Sequence, residues 1–201
     1  MVTLLLALAL FALLAGDLLL HGPVTALDPS IGAWLHAHMQ PAVTQVLFVF
    51  THVHSTIGLS IMSALVAAAL ILRKRANMIL WLLLTVQGGQ VLNVVVKDAF
   101  QRPRPHFDDP VVTLATYSFP SGHAAGATVF WGFLCVLAAS WPVRQPIRRA
   151  LFVIAPLMVL FTALSRMYLG AHYFSDVLAG ICEGLAWVCV CDLLRARTMR
   201  A

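Results

Sequence analysis

Three short polar segments hold the side chains of this sequence that could carry out chemistry. His172 and Asp176 belong to the third segment and are four residues apart, so they share one face of a helix. A carboxylate so placed can hold one imidazole nitrogen and leave the other as a lone-pair nucleophile. Arg166 precedes them, and Lys97 and Arg104 form the first segment. Positive charges around a positioned nucleophile are what phosphoryl transfer requires, so the pattern predicts attack on phosphorus by His172.

The second segment opens an apolar run and reads Pro120-Ser121-Gly122-His123. Ser121 is a favourable N-cap and Gly122 allows close backbone approach, so the free N–H groups of this helix start predict an anion site. His123 can protonate a leaving oxygen as a general acid. No residues with metal-ligand spacing accompany the segment. The basic side chains are therefore expected to do what a magnesium ion does elsewhere, and no metal or cofactor is predicted.

The composition places these segments in a membrane protein. The chain has 201 residues, of which 61% are hydrophobic and 10% are charged, and its mean hydropathy is +0.89. Soluble domains carry about 25% charged residues, so most of the surface of this protein is expected to face lipid. The net charge of +5 comes from short basic clusters between apolar runs. That distribution fits a membrane topology and argues against a nucleic-acid partner.

Six apolar stretches are long enough to cross a bilayer as helices. They are expected at roughly 3–20, 55–72, 76–96, 123–141, 150–166 and 174–194. The predicted fold class is all-α, a polytopic bundle of six transmembrane helices that forms a single domain over residues 1–201. The first stretch could be a cleaved signal peptide, but it lacks a basic start and is long for one, which favours a retained span. The second is the least clear, because residues 31–54 suggest an interfacial helix and turn that lead into it.

Basic residues orient the bundle, because they are enriched in cytoplasmic loops. Nine of them follow the second, fourth and sixth spans: Arg73, Lys74, Arg75, Arg144, Arg148, Arg149, Arg195, Arg197 and Arg200. We therefore expect these ends, and both termini, in the cytoplasm. The other four lie on the opposite face, where this rule disfavours them: Lys97, Arg102, Arg104 and Arg166. An anionic ligand would explain them, so the active site is predicted on the extracytoplasmic side of a bacterial inner membrane.

Taken together, the three segments resemble the type-2 phosphatidic acid phosphatase family. The matching positions are Lys97, Arg104, Pro105, Pro120, Ser121, Gly122, His123, Ser165, Arg166, His172 and Asp176. The resemblance implies a metal-independent phosphatase in which His172 forms a phosphohistidine, Asp176 orients it and His123 protonates the leaving group. It also implies a phosphate site made by Lys97, Arg104, Ser121, Gly122 and Arg166.

Apolar helices around such a site would let a lipid enter sideways while its phosphate stays in water. The predicted partner is therefore the bilayer, and the predicted substrate is a lipid phosphate or diphosphate within it. Analogy with the family and an outward site favour undecaprenyl diphosphate. Phosphatidylglycerophosphate, phosphatidic acid and lipid A 1-phosphate remain open, as does transfer of the phosphoryl group to another lipid. A transporter is a remote alternative, because the ionisable residues gather at span ends and not at the midplane.

Several polar residues remain without a settled role. Arg102 could contact a second phosphate or lie in solvent, with neither favoured. Glu183, inside the sixth span, is predicted to be a packed structural residue. Two closely spaced histidine pairs lack an accompanying carboxylate or thiolate cluster, so interfacial loop positions are favoured over a metal site. These pairs are His36 with His38 and His52 with His54. The oligomeric state is left open.

Overall fold

The computed structural model describes residues 1–199, and over that range the chain forms helices joined by turns and loops, without a strand. The α-helices in chain order are α1 (Val2–Leu19), α2 (Pro23–Ala37), α3 (Pro41–Val53), α4 (Thr56–Leu72), α5 (Ile79–Phe100), α6 (Gly122–Ser140), α7 (Gln145–Tyr168) and α8 (Phe174–Thr198). A short 3₁₀ turn, Ala76–Met78, leads into α5. Arg200, part of the last basic cluster, lies outside the described residues.

Five helices of the described chain are long and apolar enough to cross a membrane, and α3 with α4 makes a sixth if the two form one broken span. The five are α1, α5 with its 3₁₀ turn, α6, α7 and α8. Large apolar side chains point outward along them, and Leu13 on α1 is 69% exposed. Extensive apolar surface of this kind belongs against lipid. The predicted fold class, an all-α multi-pass membrane bundle, is confirmed.

The second span departs from the predicted layout. The expectation was an interfacial helix and turn over residues 31–54, followed by a span over 55–72. In the structure α3 is an apolar helix in its own right, and the chain bends by 52° between α3 and α4. Ser55 accounts for the break, because its Oγ accepts the Gly58 N–H at 3.1 Å and so begins α4 as an N-cap. The bend leaves His54 at the corner between the two helices.

Helices α6 and α8 pack so closely that larger side chains would not fit at their crossing. A Cβ atom at Gly180 would lie 2.5 Å from the carbonyl oxygen of Ser121, and one at Gly184 would lie 2.7 Å from Thr128 Cβ. Small residues allow this close approach of helix backbones within a membrane. The Ser121 N–H also donates to the Asp176 carbonyl at 2.9 Å. The starts of α6 and α8 are therefore tied together.

The connection from α5 to α6 and the connection from α7 to α8 meet at one end of the bundle. The end of α5, the start of α6, the end of α7 and the start of α8 converge there with the loop of residues 101–121. We call this the site end. All three polar segments of the sequence belong to it.

Candidate active site

His172 lies at the site end, in the short connection between α7 and α8, and is 4% exposed. Its Nδ1 is 3.5 Å from Asp176 Oδ2 and 3.5 Å from Ser118 Oγ. The same carboxylate oxygen accepts hydrogen bonds from the Ser118 hydroxyl and, at 2.9 Å, from the Tyr173 N–H. Asp176 is therefore fixed from several sides, and it faces the histidine from the first turn of α8.

The other ring nitrogen of His172 faces Arg104. Arg104 Nη1 lies 3.2 Å from His172 Nε2. Because a guanidinium can only donate, Nε2 carries the lone pair and Nδ1 carries the hydrogen of the neutral ring. Burial lowers the pKa of His172 to about 3, although the hydrogen bond and charge of Asp176 act to raise it. The imidazole is therefore neutral near pH 7, with its lone pair on the nitrogen that points away from Asp176.

Arg104 is held in one orientation by carbonyl oxygens from two loops. Its Nε donates to Thr116 O at 2.6 Å and its Nη2 donates to Tyr117 O at 3.0 Å. From the other side, Nη1 donates to Ala171 O at 2.7 Å. Burial lowers the pKa of Arg104 from the ordinary arginine value, and the charge of Asp176 opposes this. The result is a fixed planar cation beside the nucleophilic nitrogen.

Lys97, near the end of α5, directs its ammonium group at the backbone. The Nζ atom lies 2.9 Å, 3.2 Å and 2.6 Å from the carbonyl oxygens of Tyr117, Ser118 and Pro120. An ammonium group has three donors, so these carbonyls occupy all of them. Lys97 therefore fastens the loop before α6 in place, and it brings its charge to the site without a free N–H.

The start of α6 provides the second polar segment. Ser121 is its N-cap, and Ser121 Oγ accepts the Ala124 N–H at 3.5 Å. A Cβ atom at Gly122 would lie 2.9 Å from Asn93 Oδ1, so only glycine fits without a shift of that amide. His123 follows in the first turn. The first N–H groups of a helix lack partners within it and carry the positive end of its dipole, so this segment can hold an anion.

A cavity of about 440 Å³ lies over these groups. At one end it is lined by the polar side chains of Lys97, Arg104, His123 and His172 and by the Gly122 backbone. Its other walls come from α4 and α5 and include Leu59, Val91 and Val94. The cavity thus joins a charged end, suited to a phosphate group, to an apolar region between two membrane helices.

Arg166 lies near the end of α7 and is 3% exposed. Its Nη1 donates to Thr51 Oγ1 at 2.9 Å, while its buried Nε has no hydrogen-bond partner within residues 1–199. A second cavity of about 420 Å³ is lined by Arg166, His123 and residues of α3. Because the guanidinium group of Arg166 lines this cavity together with His123, it suits an anion bound there. The two cavities share His123.

Arg102 lies behind Asp176, and neither sequence-based expectation for it is correct. Its Nη1 donates to Asp176 Oδ1 at 2.6 Å, and its Nη2 donates to Asp28 Oδ2 at 2.7 Å. Arg102 is 8% exposed, and the two carboxylates are 0% and 1% exposed. Burial acts to lower the pKa of Arg102, but the charges of Asp176 and Asp28 outweigh it and the pKa is raised. The residue is an internal counter-ion and is not solvated.

The sequence did not indicate that Asp28 and Ser118 belong to the hydrogen-bond network around Asp176, but the structural role predicted for Glu183 agrees with its contacts. Asp28 is an acid in an apolar stretch that has no lysine or arginine, a signal that could have marked it as buried and paired. Ser118 belongs to none of the matching motifs, so no pattern indicated it. Glu183 is 6% exposed and accepts a hydrogen bond from Asn93 Nδ2 at 2.7 Å, as a packed structural residue should.

The four histidines of residues 36–54 have separate partners. Three of them pair locally or with a loop: His36 with Asp109 at 2.8 Å, His38 with the Trp34 carbonyl at 2.7 Å and His52 with the Phe48 carbonyl at 2.6 Å. His54 differs, because it is 2% exposed and bonded to Trp131 on α6. The prediction of an interfacial loop position is therefore wrong for His54.

Known proteins resemble this chain along nearly its whole length. The family model described as the PAP2 superfamily matches residues 78–200. Phosphatidylglycerophosphatase B of Bacillus subtilis is 28% identical over 180 residues, which cover 89% of this chain and 88% of that protein. A crystal structure of a transmembrane PAP2-type phosphatidylglycerolphosphate phosphatase from Bacillus subtilis superposes with a TM-score of 0.88 at 27% identity, covering 98% of each chain.

The crystal structure of Aquifex aeolicus LpxE is similar to this chain in fold alone. Its TM-score is 0.62 at 22% identity, and the match covers 85% of this chain and 95% of that one. The family model covers more than half of the chain, and its match includes the polar segments that form the site end. The resemblance to the type-2 phosphatidic acid phosphatases is therefore confirmed. The chain belongs to the PAP2 superfamily and is a membrane lipid phosphatase, a hydrolase of phosphate esters.

Proposed function

We propose that this phosphatase works by double displacement at His172. The Nε2 lone pair attacks phosphorus, and the bond from phosphorus to the lipid oxygen breaks as His123 protonates that oxygen. Water then attacks the phosphohistidine, the P–N bond breaks, and inorganic phosphate leaves. The observation that carries this proposal is the orientation of the His172 ring, with Nδ1 toward Asp176 and Nε2 beside Arg104.

In this proposal the cations of the protein stabilise the charge that develops on the phosphoryl oxygens. Arg166 donates to those oxygens, Arg104 places its positive charge beside them, and the backbone N–H groups that follow Ser121, beginning with that of Gly122, complete the anion site. Lys97 adds charge and fixes the loop. Fixed positive charge of this kind replaces the role that Mg²⁺ has in other phosphoryl transfers, so the reaction is metal-independent.

Among lipid phosphates we propose phosphatidylglycerophosphate as the substrate. Support comes from the Bacillus subtilis relative of that name, which this chain matches over 88% of its length. The apolar walls of the 440 Å³ cavity suit the lipid end of such a molecule. Undecaprenyl diphosphate, favoured from the sequence, stays a prediction, and so do phosphatidic acid, lipid A 1-phosphate and transfer to a second lipid.

We also propose that residues 1–201 form a single domain whose site end faces the extracytoplasmic side of a bacterial inner membrane. The basic residues of the α4–α5 and α6–α7 connections lie at the opposite end of the bundle, where the positive-inside rule places the cytoplasm. Both termini are then cytoplasmic. A reporter fused to the C-terminus that becomes active outside the cytoplasm would contradict this orientation.

Phosphate release from purified protein in detergent tests the proposed reaction. Each assay contains one lipid and no acceptor lipid, and it is run with and without EDTA. The lipids are phosphatidylglycerophosphate, undecaprenyl diphosphate and phosphatidic acid. We expect phosphatidylglycerophosphate to react fastest, with rates unchanged by EDTA and suppressed by vanadate, which resembles the transition state. Complete loss of activity with EDTA would overturn the metal-independent mechanism. Faster release from undecaprenyl diphosphate would overturn the assigned lipid alone.

A further inference from the structure

His54 is a buried side chain that the proposed reaction does not use. It occupies the corner between α3 and α4, is 2% exposed, and belongs to the wall of the same cavity as His123 and His172. Its Nε2 lies 3.0 Å from the indole Nε1 of Trp131. An indole N–H can only donate, so Nε2 accepts that hydrogen bond and the hydrogen of the neutral ring is on Nδ1.

The Nδ1–H group of His54 has no hydrogen-bond partner among residues 1–199, although the atom is buried. Buried donors in folded proteins are nearly always paired, so this one calls for a water molecule or a ligand as its partner. The ring of His54 lines the cavity, so a ligand oxygen that packs against the ring from there can supply that partner. Trp131 makes the arrangement specific, because its indole fixes which nitrogen carries the hydrogen.

The position of His54 indicates which part of a bound lipid phosphate it meets. Trp131 is eight residues beyond His123 on α6, about 12 Å along the axis, and its side chain leans back toward the start of the helix. His54, which bonds to that indole, therefore lies deeper in the bundle than His123. In the proposed reaction His123 protonates the leaving oxygen, so His54 lies on the side of the leaving group.

We propose that His54 donates a hydrogen bond to a further oxygen of the leaving group, beyond the ester oxygen that His123 protonates, and so makes the enzyme prefer lipids that carry such an oxygen. This inference rests on the proposed function and adds a specificity-determining residue to it. Two kinds of leaving group have such an oxygen: a glycerol phosphodiester with its free hydroxyl, and a lipid monophosphate released from a diphosphate. A simple alkyl phosphate has only its ester oxygen.

The test compares kcat/KM for three substrates in wild type and in His54→Phe, which keeps a ring of similar size and removes the donor. The substrates are phosphatidylglycerophosphate, undecaprenyl diphosphate and hexadecyl phosphate. We expect about a ten-fold loss, the order of one hydrogen bond, on whichever of the first two substrates the wild type hydrolyses. On hexadecyl phosphate we expect less than about a two-fold change, and that retained activity shows that the variant is folded.

Two matched variants sharpen the comparison. Trp131→Phe should reduce kcat/KM for the same lipids and should add nothing in the His54→Phe background, because it acts through the tautomer of His54. His38→Phe replaces an exposed histidine bonded within α2 and should change nothing. An equal loss on all three substrates, or no loss on any, would overturn the inference.

The proposed function and this inference fail in different ways. If the wild-type enzyme prefers undecaprenyl diphosphate, phosphatidylglycerophosphate is wrong as the proposed substrate. The role of His54 is then tested by the effect of His54→Phe on kcat/KM for the diphosphate. Wild type that releases phosphate from none of the three overturns the proposed function, and the inference falls with it.

Discussion

Replacing His172 with alanine is expected to abolish phosphate release, lowering kcat by about four orders of magnitude or more. The variant removes the one nitrogen whose lone pair lies beside Arg104, and His123 stands on the leaving-group side in the proposed reaction, where it cannot take over the attack. The fold should persist, because Asp176 keeps its bonds to Arg102 and Ser118. Phosphate release in detergent, with a thermal unfolding curve of the same sample, measures both effects.

His38→Ala is the matched control, since the side chain of this exposed histidine, which directly follows α2, hydrogen-bonds only to the Trp34 carbonyl among the described residues and should keep wild-type activity. A His172→Ala protein that retains more than about a tenth of the wild-type rate would contradict a nucleophilic role, because loss of a nucleophile costs far more than that.

Replacing Arg102 with alanine is expected to destabilise the protein and to reduce its activity together. The change leaves Asp28 and Asp176 buried without their shared cation, and breaking a buried ion pair costs about 3–5 kcal/mol. For a chain of this size each kcal/mol corresponds to about 2–4 °C, so the unfolding temperature should fall by roughly 10 °C. The rate should fall as well, because Asp176 then orients His172 less firmly.

The matched control is Arg195→Ala, which breaks an ion pair of the same 2.6 Å length with Asp192; the side chains of Arg195 and Asp192 are 14% and 40% exposed. Pairs that water reaches contribute about 0–1 kcal/mol, so this variant should unfold close to the wild type. In the Arg102→Ala background, Asp28→Asn should recover part of the stability because it removes one unpaired charge. Equal unfolding temperatures for Arg102→Ala and Arg195→Ala would contradict the importance of the buried network.

Features that depend on local spacing could be predicted from the sequence. Helices α5 to α8 follow from the length of their apolar runs, because a bilayer demands about 20 apolar residues per crossing. The N-cap at Ser121 follows from its residue type. The pairing of His172 with Asp176 was also expected, but not its geometry, because His172 lies two residues before the start of α8 and does not share a helix face with Asp176. The helices, the N-cap and the pairing depend on residues that are close together in the sequence, so the sequence alone is enough to predict them.

Features that depend on contacts between distant segments could not be predicted in this way. Asp28 on α2 contacts Arg102 only because the fold brings α2 next to the loop that follows α5. Nothing in the spacing of residues along the chain indicates that these two residues are partners. The bend at Ser55 and the burial of His54 against Trp131 arise in the same manner. Lys97 was correctly placed at the site, but the use of all its donors by loop carbonyls is a matter of three-dimensional geometry.

The central claim is that a phosphoryl group passes through Nε2 of His172. Rapid acid-free quenching of the enzyme during turnover of a radiolabelled lipid phosphate, followed by peptide mass spectrometry, tests it directly. We predict a label that is stable in alkali and labile in acid, as phosphohistidine is, located on His172 and absent from His172→Ala. A label on any other residue, or turnover by the wild type with no labelled enzyme at any quench time, would contradict the claim.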